Sequence, residues 1–145
     1  MKALNEFIMT VDSKSINEGF SRAAVAAFAA QLDPTLDEIS DIKMAVSEAV
    51  TNCIVHAYPV SVGKIYIYAA IFEGGTLKIS VRDKGCGIID VKQAMEPLFT
   101  TLGGERAGLG FAVMESFTDR ISVRSALGKG TTVTMYKKIN GRAAL

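Results

Sequence analysis

The sequence predicts an α+β fold in which helices cover one face of a largely antiparallel sheet. Strand-like segments occur as pairs with short, glycine-containing connections, and two long helical patterns precede most of them. The 145 residues are 49% hydrophobic and 21% charged, which is typical of one soluble globular domain. We therefore expect a single domain over residues 1–145.

The first half of the chain contains one strand-like segment and two helical patterns. Residues 2–11 alternate loosely between polar and apolar side chains, which predicts a first strand. Residues 15–32 carry apolar side chains at helical spacing, and Asp33-Pro34 ends that helix. A capping-box pattern at Thr35 and Glu38 then predicts the start of a second helix with a broad apolar face.

The second half contains two predicted hairpins separated by glycine-rich segments and a helix. β-Branched and aromatic residues are concentrated in four short runs, and glycines lie in the connections of both pairs. The expected elements are strands 64–72 and 76–81, a turn over 82–87, a short helix 91–95, a loop 96–110, a helix 109–117, and strands 120–126 and 130–136.

Charge and cysteine content limit the classes of partner and compartment. Net charge is +1, so neither nucleic acid nor a membrane surface is expected as the main partner. Residues 1–73 hold 5 basic and 9 acidic side chains and residues 74–145 hold 11 and 6, which suits a phosphate ligand, head-to-tail contacts or ordinary scatter. Two cysteines and one histidine form no metal pattern, and no apolar run approaches the ~20 residues of a membrane span. We expect a cytoplasmic protein with free thiols.

Three polar side chains recur at four-residue intervals on the second predicted helix. Glu48, Asn52 and His56 project from one side of it, among small or apolar neighbours. Residues 45–58 contain no lysine or arginine, which favours a site, although a solvated outer face is the structural alternative. The asparagine carbonyl suits Mg²⁺ and the glutamate could accept a proton. The histidine could cap the helix, contact a phosphate or be only structural.

A second candidate segment, Asp83-Lys84-Gly85-Cys86-Gly87, directly follows a strand-like run. An aspartate at a strand end can accept a hydrogen bond from an exocyclic amine such as that of adenine. The two glycines would allow the backbone to approach a flat ring closely. A simple strand-to-helix turn is the alternative interpretation.

A third candidate segment, residues 104–111, leads into the next predicted helix. Small residues at a helix start expose backbone N–H groups to an anion, and Arg106 adds a positive charge. The segment is neither a dinucleotide-binding fingerprint nor a P-loop, because the glycine spacing is incomplete and Gly-Lys-Ser/Thr is absent. A plain flexible loop is the alternative.

Taken in order, the three segments resemble the sequence boxes of the GHKL ATP-binding superfamily. Residues 48–56 match its N-box, residues 83–87 its first glycine box and residues 108–110 its second. Over nearly its whole length, the chain is similar to the small anti-sigma factor serine kinases, most of all to their sporulation-type members. The most telling stretches are residues 31–38, 47–56, 96–101 and 108–115.

The resemblance implies a fold and a set of residue roles. The fold would be a two-layer α/β sandwich of the GHKL type with a mixed, mostly antiparallel sheet, and it would bind ATP or ADP with Mg²⁺ beneath a flexible lid. Glu48 would be the general base for phosphoryl transfer to a serine. Asn52 would ligate Mg²⁺, and Asp83 would bind the adenine amine. The other implied nucleotide-binding residues are His56, Gly85, Gly87, Thr100, Thr101, Arg106, Gly108, Leu109, Gly110 and Thr132.

The resemblance also implies protein partners. These are a sporulation sigma factor of the sigma F type, an anti-anti-sigma factor phosphorylated on serine, and a second copy in a homodimer through the sheet. Residues 2–11 form the edge that such a dimer would protect, and Arg22 matches a family position that meets both the sigma factor and the anti-anti-sigma protein.

The chain departs from the family pattern at Leu102-Gly103, where the family usually has Lys-Pro. The lid of this chain is also one residue shorter than in the family pattern. The missing lid lysine removes one of the phosphate contacts that the resemblance implies. Three alternatives stay open: a non-catalytic, nucleotide-gated sigma-binding module, a general-stress anti-sigma kinase, and a stand-alone ATPase.

Overall fold

The chain folds into a five-stranded sheet with helices packed on one face. The computed structural model describes residues 2–95 and 110–141. Its strands are β1 Asn5–Asp12, β2 Lys64–Phe72, β3 Thr76–Asp83, β4 Arg120–Ala126 and β5 Gly130–Lys138, and its helices are α1 Ile16–Ala29, α2 Leu36–Asn52, α3 Val91–Ala94 and α4 Phe111–Phe117. Within these two ranges, no helix is both long and apolar enough to cross a membrane.

The strand order is β1-β2-β3-β5-β4, and each of these pairings is antiparallel. The register places Ile67 opposite Val81 and Ile79 opposite Met135. Because side chains alternate between the two faces of a strand, these buried residues all lie on the face that the helices cover. The predicted largely antiparallel sheet with one covered face is confirmed.

The core lies between this sheet face and the two long helices. Their inward faces contribute fully buried aliphatic and small residues, and the alanines among them allow α1 and α2 to approach closely. Each fully buried valine or isoleucine contributes about 1.5–3 kcal/mol of hydrophobic free energy. The helical part of this core is formed by Val25, Ala29, Ile42, Val46 and Val50, among others.

Helix α2 begins as the sequence predicts. Thr35 Oγ1 accepts a hydrogen bond from the Glu38 amide at 3.2 Å, and Glu38 Oε1 accepts one from the Thr35 amide at 2.9 Å. The same carboxylate also accepts the amides of Asn140 and Gly141, at 2.8 and 3.1 Å. Glu38 therefore caps α2 and also holds the end of the chain that follows β5.

The other end of α2 differs from the expected regular helix. After Asn52 the chain continues as a π-helical turn over Cys53–Ala57, and the Tyr58 amide donates to the Cys53 carbonyl at 3.0 Å. A wider turn rotates the following side chains relative to an α-helix, and such turns occur frequently at functional sites.

Smaller differences concern where the other elements begin and end. α1 ends at Ala29 and is followed by a 3₁₀ turn, and α4 begins only at Phe111. β3 extends two residues further than predicted, so that Asp83 belongs to the strand and pairs with Thr131 of β5. The sheet ladder itself therefore fixes the position of Asp83. Of the predicted loop over residues 96–110, residues 96–109 lie outside the described residues.

Candidate functional site

A cavity of about 500 Å³ lies between the end of α2, the end of β3 and the β4–β5 turn. This volume falls within the range of small-molecule sites, and most of the lining is apolar with a few convergent polar groups. The polar and glycine positions on its wall include Asn52, His56, Asp83, Gly87 and Thr131.

The carboxylate of Asp83 is the most deeply placed charged group of the cavity. Asp83 is only 6% exposed, and its Oδ1 accepts the amides of Gly85 and Thr131 at 3.0 and 3.2 Å. Its Oδ2 lies 3.6 Å from the Cys53 thiol. Burial raises the pKa of Asp83, while the two amides and the thiol act in the opposite direction. The result is a rigidly held acceptor on the cavity wall, with two backbone amides on Oδ1 and the thiol on Oδ2.

The turn after Asp83 is clamped between two other elements. A side chain at Gly85 would collide with the Ala57 carbonyl at the end of the π-helical turn, and the same carbonyl accepts the Cys86 amide at 3.1 Å. Gly87 has φ +77°, and a Cβ there would collide with the Ala126 carbonyl of the β4–β5 connection. Both glycines are therefore required for the close approach that forms the cavity wall.

The three polar side chains predicted at four-residue intervals lie in the last turns of α2 and in the π-helical turn that follows it. Asn52 and His56 line the cavity, and their Oδ1 and Nε2 atoms are shielded from solvent. Glu48, one turn before Asn52, is half-buried against the start of α4. At that point Gly110 has φ +73°, and a Cβ there would collide with Glu48 Oε2. The structure thus places Asn52 and His56 on the cavity wall, with Glu48 one helical turn before them and beside Gly110.

The chain is similar to known proteins over most of its length. Residues 16–137 match the histidine kinase-like ATPase domain family. The chain is 56% identical to an anti-sigma F factor of Thermoanaerobacter sp. (strain X514), over 96% of this chain and 97% of that protein. It is 48% identical to the anti-sigma F factor of Geobacillus kaustophilus, over 97% of each. The chain belongs to the anti-sigma F factor family.

Solved structures agree with this family at the level of the fold. The RsbU and RsbW domains of Rv1364c from Mycobacterium tuberculosis superpose with a TM-score of 0.68 at 24% identity, over 93% of this chain and 32% of that one. The mycobacterial sensor histidine kinase MprB gives 0.57 at 17% identity, over 90% and 97%. The expected GHKL-type sandwich is therefore confirmed.

The cavity fits the adenine nucleotide that an ATPase domain of this family implies. Its volume and apolar walls suit a purine, and the Gly87 backbone forms part of the cavity wall. The buried carboxylate of Asp83 is an acceptor suited to an amine. The amide oxygen of Asn52 is a hard donor of the kind that Mg²⁺ binds.

The cavity is lined by Thr131, the neighbour of the predicted Thr132. Thr132 lies on the opposite face of β5 from Val133, which is buried in the core, whereas Thr131 shares the inward face and lines the cavity. Thr131 also donates its amide to Asp83. The two threonines are neighbours in β5, and a shift of one position along a strand moves a side chain to the other face.

Two further residues of the site were missed by sequence reasoning. The Cys53 thiol contacts Asp83. In the sequence, Cys53 belongs to the apolar pattern of the helix, which is typical of an ordinary core residue. The Tyr58 hydroxyl accepts the Lys84 amide at 2.7 Å and donates to the Lys64 carbonyl at 2.8 Å, so it braces the glycine turn. A tyrosine next to Pro59 offered no sequence signal for this role.

The remaining predicted residues lie at the surface or outside the described part of the chain. Arg22 on α1 donates to Glu18 at 2.8 Å and lies 3.4 Å from the Ser47 hydroxyl of α2. Ser47 directly precedes Glu48, so the predicted partner residue lies next to the predicted base. Thr100, Thr101, Arg106, Gly108 and Leu109 lie outside the described residues.

Proposed function

We propose that this chain is a nucleotide-dependent anti-sigma factor and serine protein kinase. In this proposal it binds ATP or ADP with Mg²⁺ in the cavity, holds a sporulation sigma factor, and phosphorylates an anti-anti-sigma factor on serine. The observation that carries the proposal is the buried, amide-held carboxylate of Asp83 on a cavity of nucleotide size. The names of the most similar relatives supply the sigma factor as partner.

Adenine recognition follows from the acceptor geometry of Asp83. Its Oδ1 is committed to the amides of Gly85 and Thr131, so Oδ2 is the oxygen available to a ligand. The exocyclic amine of adenine would donate to Oδ2. Guanine would place its carbonyl oxygen there instead, and two acceptors would face each other in a dry site. The site therefore favours adenine.

The chemical step would depend on Glu48 and Asn52. Bound Mg²⁺ would neutralise charge on the phosphate oxygens, and Asn52 is the residue that would hold it. Glu48 would accept the proton that a serine hydroxyl loses as its oxygen bonds to the γ-phosphoryl group of ATP, while the bond from that group to the β-phosphate oxygen breaks and ADP leaves. A positioned general base contributes about 10²–10⁴-fold to such a rate. The half-buried position of Glu48 beside α4 allows a substrate hydroxyl to reach it from solvent.

Partner exchange would take place next to this base. Arg22 is partly exposed and extends from α1 towards Ser47, the neighbour of Glu48 on α2. A protein that contacts Arg22 therefore covers the approach to Glu48. The sigma factor and the anti-anti-sigma factor would compete for this surface, and the bound nucleotide would bias the competition by its differential interaction with the two complexes.

A homodimer is the assembly that we propose for the full protein. Among the described strands, β1 pairs with β2 alone, so within residues 2–95 and 110–141 its other edge offers unpaired backbone groups. A second copy would cover this edge of the sheet. Light scattering is expected to give the mass of two chains, and the mass of one chain at all concentrations would contradict the dimer.

The proposed function is tested by co-purification from a sporulating cell extract. The tagged protein is incubated with ATP or with ADP, and captured proteins and their phosphoserines are identified by mass spectrometry. We expect a sigma factor with ATP, and an anti-anti-sigma factor that carries phosphoserine only when the Glu48 side chain is intact. Sigma-factor capture without phosphoserine on any partner would instead support the non-catalytic binding module.

A further inference from the structure

The Cys53 thiol lies at the cavity wall against the carboxylate to which the proposed function assigns the adenine amine. Cys53 is 3% exposed, and its Sγ is 3.6 Å from Asp83 Oδ2. The two residues are 30 positions apart in the chain and both line the cavity. This contact joins the end of α2 to the end of β3 at the carboxylate oxygen that accepts no backbone amide among the described residues.

The thiol acts as a hydrogen-bond donor in this contact. The sulfur is buried and lies 3.6 Å from a carboxylate oxygen, which can only accept a hydrogen bond when ionised, so the thiol is the donor. The Ala49 carbonyl, 3.4 Å away, is a second possible acceptor. Because an ionised carboxylate is a stronger acceptor than a neutral carbonyl, the thiol favours Asp83.

The hydrogen bonds to Asp83 restrict how a ligand can use it. Oδ1 accepts the Gly85 and Thr131 amides, and Oδ2 accepts the thiol of Cys53. A carboxylate offers about four lone-pair positions. Among the residues that the structure describes, these donors leave one position, on Oδ2, for an amine in the cavity. The hydrogen bond from the thiol therefore fixes the direction of the remaining lone pair of Oδ2.

We infer that Cys53 is a positioning residue that sets the selectivity of the site for adenine. By donating to Asp83 Oδ2, it holds the carboxylate so that the remaining lone pair meets the exocyclic amine. This inference rests on the proposed nucleotide site. It assigns no covalent chemistry to the thiol, whose role is carried by its proton and its place in the π-helical turn.

The inference is tested with two ligands that differ only in the amine. ADP carries it, and purine riboside 5′-diphosphate lacks it. Cys53→Ala removes the donor, and Cys53→Ser keeps one. In calorimetry on the full chain, we expect Cys53→Ala to bind ADP about three- to tenfold more weakly, as for the loss of one hydrogen bond. Its affinity for the amine-free ligand stays within about twofold, and Cys53→Ser recovers most of the selectivity.

Two further variants separate positioning from packing. Val46→Ala removes buried volume from the same helix, seven positions before Cys53, and is expected to lower the melting temperature without changing the selectivity. Cys53→Val removes the donor but fills the space, so it reproduces the selectivity loss even if Cys53→Ala does not fold. A purely structural cysteine would show equal weakening of both ligands.

The outcomes distinguish the inference from the function on which it rests. Equal weakening of both ligands, or no change for either, in Cys53→Ala and Cys53→Val would overturn the role of Cys53 while leaving a nucleotide site. Failure of the wild-type chain to bind ADP would contradict the nucleotide site itself. A selective loss for ADP, with recovery in Cys53→Ser, supports both.

Discussion

Replacement of Asp83 by asparagine should impair nucleotide binding while leaving the fold intact. The two amides that contact Oδ1 are donors, so they require an acceptor and would orient the new side chain with its carbonyl towards Gly85 and Thr131. The amide nitrogen then takes the place of Oδ2, beside Cys53. The adenine amine would meet a donor there instead of a carboxylate.

The size of the effect follows from this exchange. A hydrogen bond to a charged group contributes about 1.5–3 kcal/mol, and an unsatisfied buried donor costs about 1–3 kcal/mol. Since the two terms overlap, we expect a loss of about 2–4 kcal/mol, which is roughly 30-fold to several-hundred-fold in the dissociation constant of ADP. Folding should be little affected, because asparagine removes a carboxylate whose charged form burial disfavours.

The assay is calorimetry of Asp83→Asn and wild type with ADP and with purine riboside 5′-diphosphate. The amine-free ligand makes no bond to position 83, so its affinity should agree within about threefold between the two proteins. ADP affinity unchanged by the substitution, in a variant with the wild-type melting temperature, would refute the assignment of the adenine amine to Asp83.

The pH dependence of ADP binding gives a second measurement on the same group. The carboxylate accepts the amine fully only when ionised, so affinity is retained above the pKa of Asp83 and declines as pH falls through it. Burial raises this pKa, so the decline begins at higher pH than for an exposed aspartate, whose pKa is about 3.9. Purine riboside diphosphate should lack this decline. A parallel decline for both ligands would assign the pH dependence to another group.

The remaining predictions concern catalysis, the glycine turn and stability. Glu48→Gln should lower phosphoryl transfer by about 10²–10⁴-fold while ADP binding stays within about threefold, and normal transfer would exclude Glu48 as the base. Gly87→Ala should cost about 1–3 kcal/mol or more, because it adds a collision with a carbonyl to a strained φ of +77°. Gly128→Ala is the matched control: its φ is +75° but its surroundings are open, so a melting temperature as low as that of Gly87→Ala would contradict the clash. Glu38→Ala should lower the free energy of unfolding by about 1–2 kcal/mol, since the capping box and the bonds to the chain end are lost. Asp37→Ala, in the same first turn, should cost less than half as much, and equal losses would refute the special role of Glu38.

The elements that sequence patterns predicted are those that local physics determines. Two runs of β-branched and aromatic residues joined by a glycine-containing connection predicted the central hairpin of β2 and β3, because such a turn pairs neighbouring strands. The capping box at Thr35 predicted the first residue of α2, because its hydrogen bonds join residues three positions apart. The resemblance to a family singled out Asn52 and Asp83, which both line the cavity, and their roles there stay predictions.

The features that the sequence did not reveal depend on contacts between distant segments. The choice between Thr131 and Thr132 depends on the register of β5 against β3, which places Thr131 opposite Asp83. The contact of Cys53 with Asp83 depends on how the end of α2 packs against the end of β3. Nothing in the apolar spacing of that helix distinguishes a π turn from an α turn. Such features follow only once the sheet and the helices are packed together.

Phosphoryl transfer from γ-labelled ATP to the anti-anti-sigma factor of the same organism tests the central claim most directly. We expect Mg²⁺-dependent transfer of label to a serine of that protein, and at least a hundredfold less label with Glu48→Gln. Absence of label from the wild-type reaction, with ATP bound and the anti-anti-sigma factor in complex with the chain, would contradict the proposed kinase and leave a nucleotide-gated binding protein.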